Sequence, residues 1–124
     1  MKQASSESYP GLNLLLVMDH REDACLIEAL ARDVKQTKLS LEVVNNVETA
    51  LGRLEEGGID LILLDLDLTG NQGLESFFTL TAQNLDIPII MVAGLDSANL
   101  AMEAIREGAQ DYLIKEKLDS QMLI

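Results

Sequence analysis

Aromatic rings are nearly absent from this chain, which has two Tyr, two Phe and no Trp in 124 residues. Its core must therefore be built from Leu, Ile, Val, Ala and Met. Such a composition suits helices packed on a parallel sheet better than a β-sandwich. Cys25 is the only cysteine, so no disulfide forms within the chain, which fits a reducing cytoplasm. Cys25 falls in a helical apolar pattern and is expected to be a small buried hydrophobe rather than a reactive thiol. Basic residues are also scarce. Nine Lys and Arg face twenty-one Asp and Glu, for a net charge of −12. A surface that negative repels phosphate backbones, so direct binding of DNA or RNA is not expected, whereas basic partners or bound cations are. No apolar run approaches the ~20 residues of a membrane span. The opening "MKQASSESYPG" lacks the apolar stretch of a signal peptide. Residues 1–10 read as a flexible tail, and 11–124 as one domain.

Hydrophobic residues make up 48% of the chain, enough for a sizeable core. Apolar runs of strand length alternate with helical patterns. "LNLLLVM" (12–18) is a continuous run, as in a strand buried on both faces. Ala24, Ile27, Leu30, Ala31 and Val34 then follow the spacing of an amphipathic helix. "LSLEVV" (39–44) predicts a second strand and 47–56 a short helix stopped by Gly57-Gly58. "LILLD" (61–65) predicts the third strand, with a helix from Gly73 to about Asn84. "IPIIMVA" (87–93) predicts the fourth strand. Asp96 or Ser97 is the expected cap of a helix running to Gly108. "DYLIK" (111–115) predicts the fifth strand, and "LDSQMLI" (118–124) the start of a fifth helix. This alternation implies right-handed βαβ units and one parallel sheet. Met91 and Met102 are expected in the core. Phe77 and Phe78 are expected to divide between core and half-exposed positions.

In open α/β sheets the site lies beyond the carboxyl ends of the strands. Asp19 follows the first strand. Asp65 ends the third, with Asp67 two residues on, and Lys115 ends the fifth. Crowded carboxylates raise one another's pKa unless a cation joins them. Mg²⁺ is the natural guest, because it takes oxygen ligands and keeps several waters. Lys115 adds a compact positive charge able to pair with a carboxylate or a phosphoryl group. Such a site can place a phosphoryl group on one Asp, with Asp65 attacking while the metal and Lys115 hold the oxygens. Asp60 opens its strand and reads as a turn residue. His20, beside Asp19, reads as an exposed loop residue, with metal ligation the less favoured alternative.

Residues 12–123 resemble the receiver domain of bacterial two-component response regulators. "LLLVMDHREDACLIEAL" is similar to that family's first strand, acidic loop and first helix. "DLILLDLDLTGNQGLE" resembles its phosphoacceptor strand and loop. "IPIIMVAGLD" resembles the fourth strand, and "AIREGAQDYLIKEKLD" the closing helix, strand and lysine. The resemblance implies a flavodoxin-like, doubly wound five-stranded parallel sheet with strand order 2-1-3-4-5. By position it implies Asp65 as phosphoacceptor and Asp19 as a ligand of Mg²⁺ beside Asp65. The backbone carbonyl of Asp67 completes the protein ligands, and Lys115 contacts the phosphoryl group. It also implies a histidine kinase or phosphotransfer protein as donor, an output domain or partner protein as receiver of the signal, and a cytoplasmic, non-enzymatic role limited to self-catalysed phosphoryl transfer and dephosphorylation.

Four positions depart from the family. Met18 stands where a second acidic residue is usual, and a thioether is a poor partner for Mg²⁺, so weakened binding is expected unless Asp67 or Glu22 compensates. Ala93 replaces the usual Thr or Ser, so no hydroxyl is available there to couple to the switch aromatic, Tyr112. Glu116 replaces a Pro often preceded by a cis bond. A cis bond before Glu116 would cost ~2.5–4 kcal/mol, so a trans bond is expected. Thr69 replaces a loop Pro. These changes support an alternative reading, a pseudo-receiver that binds partners without phosphorylation. A remoter alternative is a haloacid-dehalogenase-type phosphatase, which "LILLDLDLTG" also resembles. In that family Asp65 is the nucleophile and Asp67 the acid/base. The later Ser or Thr and acidic pair of that family have no counterpart. The short fifth helix suggests a fragment of a longer protein, and apolar surface left there would favour a homodimer.

Overall fold

The computed structural model describes residues 11–33, 38–67, 73–83 and 86–117. Five strands are found: β1 (Gly11–Val17), β2 (Lys38–Val44), β3 (Leu61–Asp65), β4 (Ile89–Ala93) and β5 (Asp111–Ile114). Four helices alternate with them: α1 (Arg21–Asp33), α2 (Val47–Glu55), α3 (Gly73–Thr81) and α4 (Ala98–Arg106). One 3₁₀ turn, Leu95–Ser97, leads into α4, and another, Lys115–Lys117, follows β5. The sheet is parallel throughout, in the order β2-β1-β3-β4-β5. This is the expected doubly wound architecture and strand order. The expected tail (1–10), the continuation of α1 through Val34, Thr69 and the fifth helix (118–124) all lie outside the described residues.

The period-2 alternation of strand side chains divides the core into two layers. Leu15, Val17, Ile62, Leu64, Met91, Ala93 and Ile114 face α2, α3 and α4, where they meet Ala50, Leu54, Phe77, Leu80, Ala101 and Ala104. Leu16, Met18, Leu63, Val92 and Leu113 face the opposite way and meet Ala24 and Ile27 of α1. The inner strands are buried on both faces, which explains their unbroken apolar runs.

The helix ends follow local chemistry. Asn46 caps α2, its side chain accepting from the Thr49 amide at 2.7 Å. Gly57, at φ 80°, turns the chain out of α2 in the left-handed region that favours glycine, as expected from Gly57-Gly58. No peptide bond among the described residues is cis, so Lys115–Glu116 is trans as expected.

Three expectations fail. Cys25 is exposed. The inward face of α1 carries Ala24, Ile27 and Ala31, and a residue one step from Ala24 lies about 100° round the helix. Met102 is 46% exposed rather than core. Ala101 and Ala104 are the buried residues of α4, so Met102 points away from the sheet. Ser97 precedes α4 but makes no side-chain cap, because its hydroxyl is used elsewhere. The two Phe divide as expected, with Phe77 buried and Phe78 exposed, and Met91 lies in the core.

Candidate functional site

The parallel sheet brings the carboxyl ends of β1, β3, β4 and β5 to one edge. Alternation then decides which face each side chain joins. Leu63 and Leu113 point toward α1. Two residues later, Asp65 and Lys115 emerge on that same side. Lys115 Nζ lies 3.0 Å from Asp65 Oδ1. It also lies 3.3 Å from Asp67 Oδ2 and 3.3 Å from Asp23 Oδ2, on the first turn of α1. One ammonium thus serves three carboxylates.

Asp65 is wholly buried. Its Oδ1 also accepts from the Asp67 backbone amide at 2.9 Å. Its Oδ2 is buried and has no hydrogen-bond partner among the described residues. Burial holds the Asp65 carboxyl above the ordinary carboxylate range, and the Asp67 amide and Lys115 offset this only in part. Burial also pulls Lys115 down, but the hydrogen bond and charge of Asp65, with help from Asp23 and Asp67, outweigh it and leave the ammonium above its ordinary value. The pair is therefore held by charge against a desolvation cost.

The remaining residues frame a cleft of about 810 Å³ whose lining includes His20, Asp23, Asp67, Ser97, Lys115 and Glu116. Ser97 donates its hydroxyl to Asp67 Oδ1 at 2.9 Å, which ties the start of α4 to the end of β3. His20 Nε2 lies 3.0 Å from the Asp67 carbonyl oxygen, and Nδ1 lies 3.6 Å from Asp19 Oδ1. Asp19, His20 and Asp65 each offer one ligand atom within 4.8 Å of the others. The donor set fits a divalent cation. Two carboxylates converge, and one of them carries a buried oxygen that no protein group satisfies.

The predicted Asp19, Asp65, Asp67 and Lys115 are thus brought together. Met18 is not at the site but packs beneath α1, 2% exposed. Ala93 is buried on the opposite face, in the same cluster that Tyr112 packs against. Three contributors were not recognised from sequence as part of the Lys115 and Asp67 network. Asp23 was legible in principle, since stepping back four from Ile27 lands on the inward face of α1. Ser97 resembles an ordinary cap, and His20 an ordinary loop residue. Only their distant partners distinguish them.

A doubly wound sheet with an acid cluster and one lysine at its carboxyl edge is the arrangement that the receiver resemblance implies. Residues 14–124 match the family model of the response regulator receiver domain, and the chain belongs to that family of two-component signalling proteins. The swarming motility regulation protein RssB of Serratia marcescens is 35% identical over 104 residues, covering 84% of this chain and 46% of that protein. Regulatory protein LuxO of Vibrio vulnificus is 35% identical over 95 residues, covering 76% of this chain and 21% of that protein. The chain spans less than half the length of these relatives. The N-terminal signal receiver domain of a response regulator from Bacteroides fragilis superposes with a TM-score of 0.79 at 24% identity, covering 92% of this chain and 90% of that one. The receiver domain of Francisella response regulator 1452 gives a TM-score of 0.75 at 24% identity, with 91% and 90% covered. Among the described residues no helix is long and apolar enough to cross a membrane.

Proposed function

We propose that Asp65 accepts a phosphoryl group from the phosphohistidine of a kinase or phosphotransfer protein and passes the signal to an output domain or partner. The observation that carries this reading is the asymmetry of the Asp65 carboxylate. Oδ1 is fixed by Lys115 and the Asp67 amide, whereas Oδ2 is unpartnered. A carboxyl held above its ordinary pKa is also more basic than a free one, and so a better nucleophile once ionised.

In the transfer, an Asp65 oxygen forms a bond to phosphorus as the donor's P–N bond breaks. The electron pair leaves with the imidazole, which takes up a proton. Lys115 offsets the negative charge of the phosphoryl oxygens. Asp19 and Asp65 would hold the cation, with the Asp67 carbonyl the expected third protein donor. When bound, Mg²⁺ supplies positive charge against the phosphoryl oxygens. Attack of water on phosphorus returns the carboxylate and inorganic phosphate. Its chemistry is limited to self-catalysed phosphoryl transfer and dephosphorylation, and the domain acts in the cytoplasm and is able to pair with a second copy.

A second reading, the pseudo-receiver, is favoured by Met18, which lies in the core and brings no oxygen to the site, and by Ala93. Incubation with Mg²⁺ and acetyl phosphate beside Asp65→Asn, read by intact mass, separates the two. One added phosphoryl group on the wild type alone is expected. No gain on either chain supports the pseudo-receiver.

A further inference from the structure

The ring of His20 stands between groups expected to hold the metal. Its Nε2 meets the Asp67 carbonyl oxygen at 3.0 Å. A carbonyl can only accept, so Nε2 carries the proton and Nδ1 of the neutral ring keeps its lone pair. Nδ1 is the nitrogen on the Asp19 side, 3.6 Å from Oδ1. One donor atom each from Asp19, His20 and Asp65 lies within 4.8 Å of the others. An ion with bonds of about 2.0–2.2 Å draws such a set together with small side-chain movements. Asp65 brings a wholly buried carboxylate with one unsatisfied oxygen. Met18 adds no donor, because it is packed under α1.

We propose that His20 coordinates the metal of this site through Nδ1, giving a mixed nitrogen and oxygen donor set that favours a divalent transition ion of the Fe²⁺ to Zn²⁺ series over Mg²⁺. The inference rests on the reading of this edge as a metal-assisted phosphoacceptor site. Imidazole is a good ligand for those ions, whereas Mg²⁺ prefers oxygen and water. The contact from Nε2–H to a backbone carbonyl is the arrangement by which ligating histidines fix their tautomer and ring orientation. The Asp67 carbonyl then orients His20 through one lone pair and keeps the other for the metal.

Co²⁺ and Mg²⁺ are the probes, each titrated alone into the purified chain by calorimetry, with proton NMR of the Co²⁺ form. The expected result is a hyperfine-shifted imidazole N–H resonance that disappears in D₂O. His20→Gln keeps an amide donor for the Asp67 carbonyl but has no ring lone pair. In that variant the resonance vanishes and Co²⁺ binding weakens about tenfold or more, while Mg²⁺ binding changes less than about threefold. Bound Co²⁺ without the shifted resonance, or an unchanged Co²⁺ to Mg²⁺ preference in His20→Gln, overturns the inference and leaves the phosphoacceptor reading standing. Failure of both ions to bind also overturns it, and the mass measurement on Asp65 then judges that reading separately.

Discussion

The two ends of the sheet handle charge in opposite ways. At the amino end, carboxylates and carbonyls meet donors of their own. Asn13 gives its backbone amide to Asp60 Oδ2 at 2.8 Å and its side-chain amide to the Gly58 carbonyl at 2.9 Å. Nearby, Arg53 donates from Nε to both oxygens of Glu42, at 2.9 and 2.8 Å, and from Nη1 to the Gly57 carbonyl at 2.8 Å. At the carboxyl end, one lysine is divided among three carboxylates and a buried oxygen is left over. The matched end behaves as a clasp. The unmatched end is short of positive charge, the condition a bound cation relieves.

The comparison is tested hardest by removing the shared cation. Lys115→Met leaves Asp65 buried without its ammonium, and a loss of about 2–4 kcal/mol at neutral pH is expected. The loss should shrink at low pH, where Asp65 carries a proton and needs no counter-charge. Urea unfolding at both pH values measures this, and an equal loss at both would show that Lys115 acts through packing alone.

The next test has the opposite sign. The raised Asp65 pKa means that the folded chain binds this proton more tightly than the unfolded one. Between the two pKa values, stability therefore falls as pH rises. Asp65→Asn is never charged, so its thermal midpoint should exceed that of the wild type at neutral pH. The gap should close as pH falls toward 3.8, the ordinary carboxylate value. Asp60→Asn, at the matched end, should show no such gain. A lower midpoint for Asp65→Asn at neutral pH would mean that the Lys115 contact outweighs burial.

Ser97→Ala removes one hydrogen bond and is expected to cost about 0.5–1.5 kcal/mol. The readout specific to its tie is faster amide exchange at Leu95–Asn99 with β3 unchanged. Smallest of all should be Arg53→Ala, because Glu42 is largely exposed. Its loss by denaturant unfolding is expected to stay below about 1 kcal/mol. A larger value would make the clasp a stability element comparable to the site.

The five strands and the convergence of Asp19, Asp65, Asp67 and Lys115 were legible in the residue pattern, and the strand order through the family resemblance. Unbroken apolar runs ending in charged residues occur only where a strand leaves a two-sided core, and parallel pairing sends all such ends the same way. Helix faces were less legible. Cys25 and Met102 sit next to small inward residues, Ala24 and Ala101, and close packing on alanine turned the larger neighbours outward. Met18 illustrates the reverse, a residue aligned with a metal-site position whose apolar side chain packs into the cluster beneath α1. The ties of Ser97 and His20 to Asp67 were not legible for another reason. Their acceptors lie 30 and 47 residues away, and a local reading sees a cap, and a loop residue with metal ligation as the less favoured alternative.

Under the proposed phosphoacceptor reading, the acidic mouth around Lys115 also bears on how fast a donor arrives. With a net charge of −12, the domain repels small phosphoanions and attracts cationic surfaces from several ångströms away. Added salt shortens the reach of both effects. Encounter with acetyl phosphate therefore quickens as ionic strength rises, whereas encounter with a donor protein bearing a basic docking face slows. The same crowded carboxylates that leave the site short of positive charge would act, before any contact is made, as a filter on which phosphoryl donors reach the proposed acceptor.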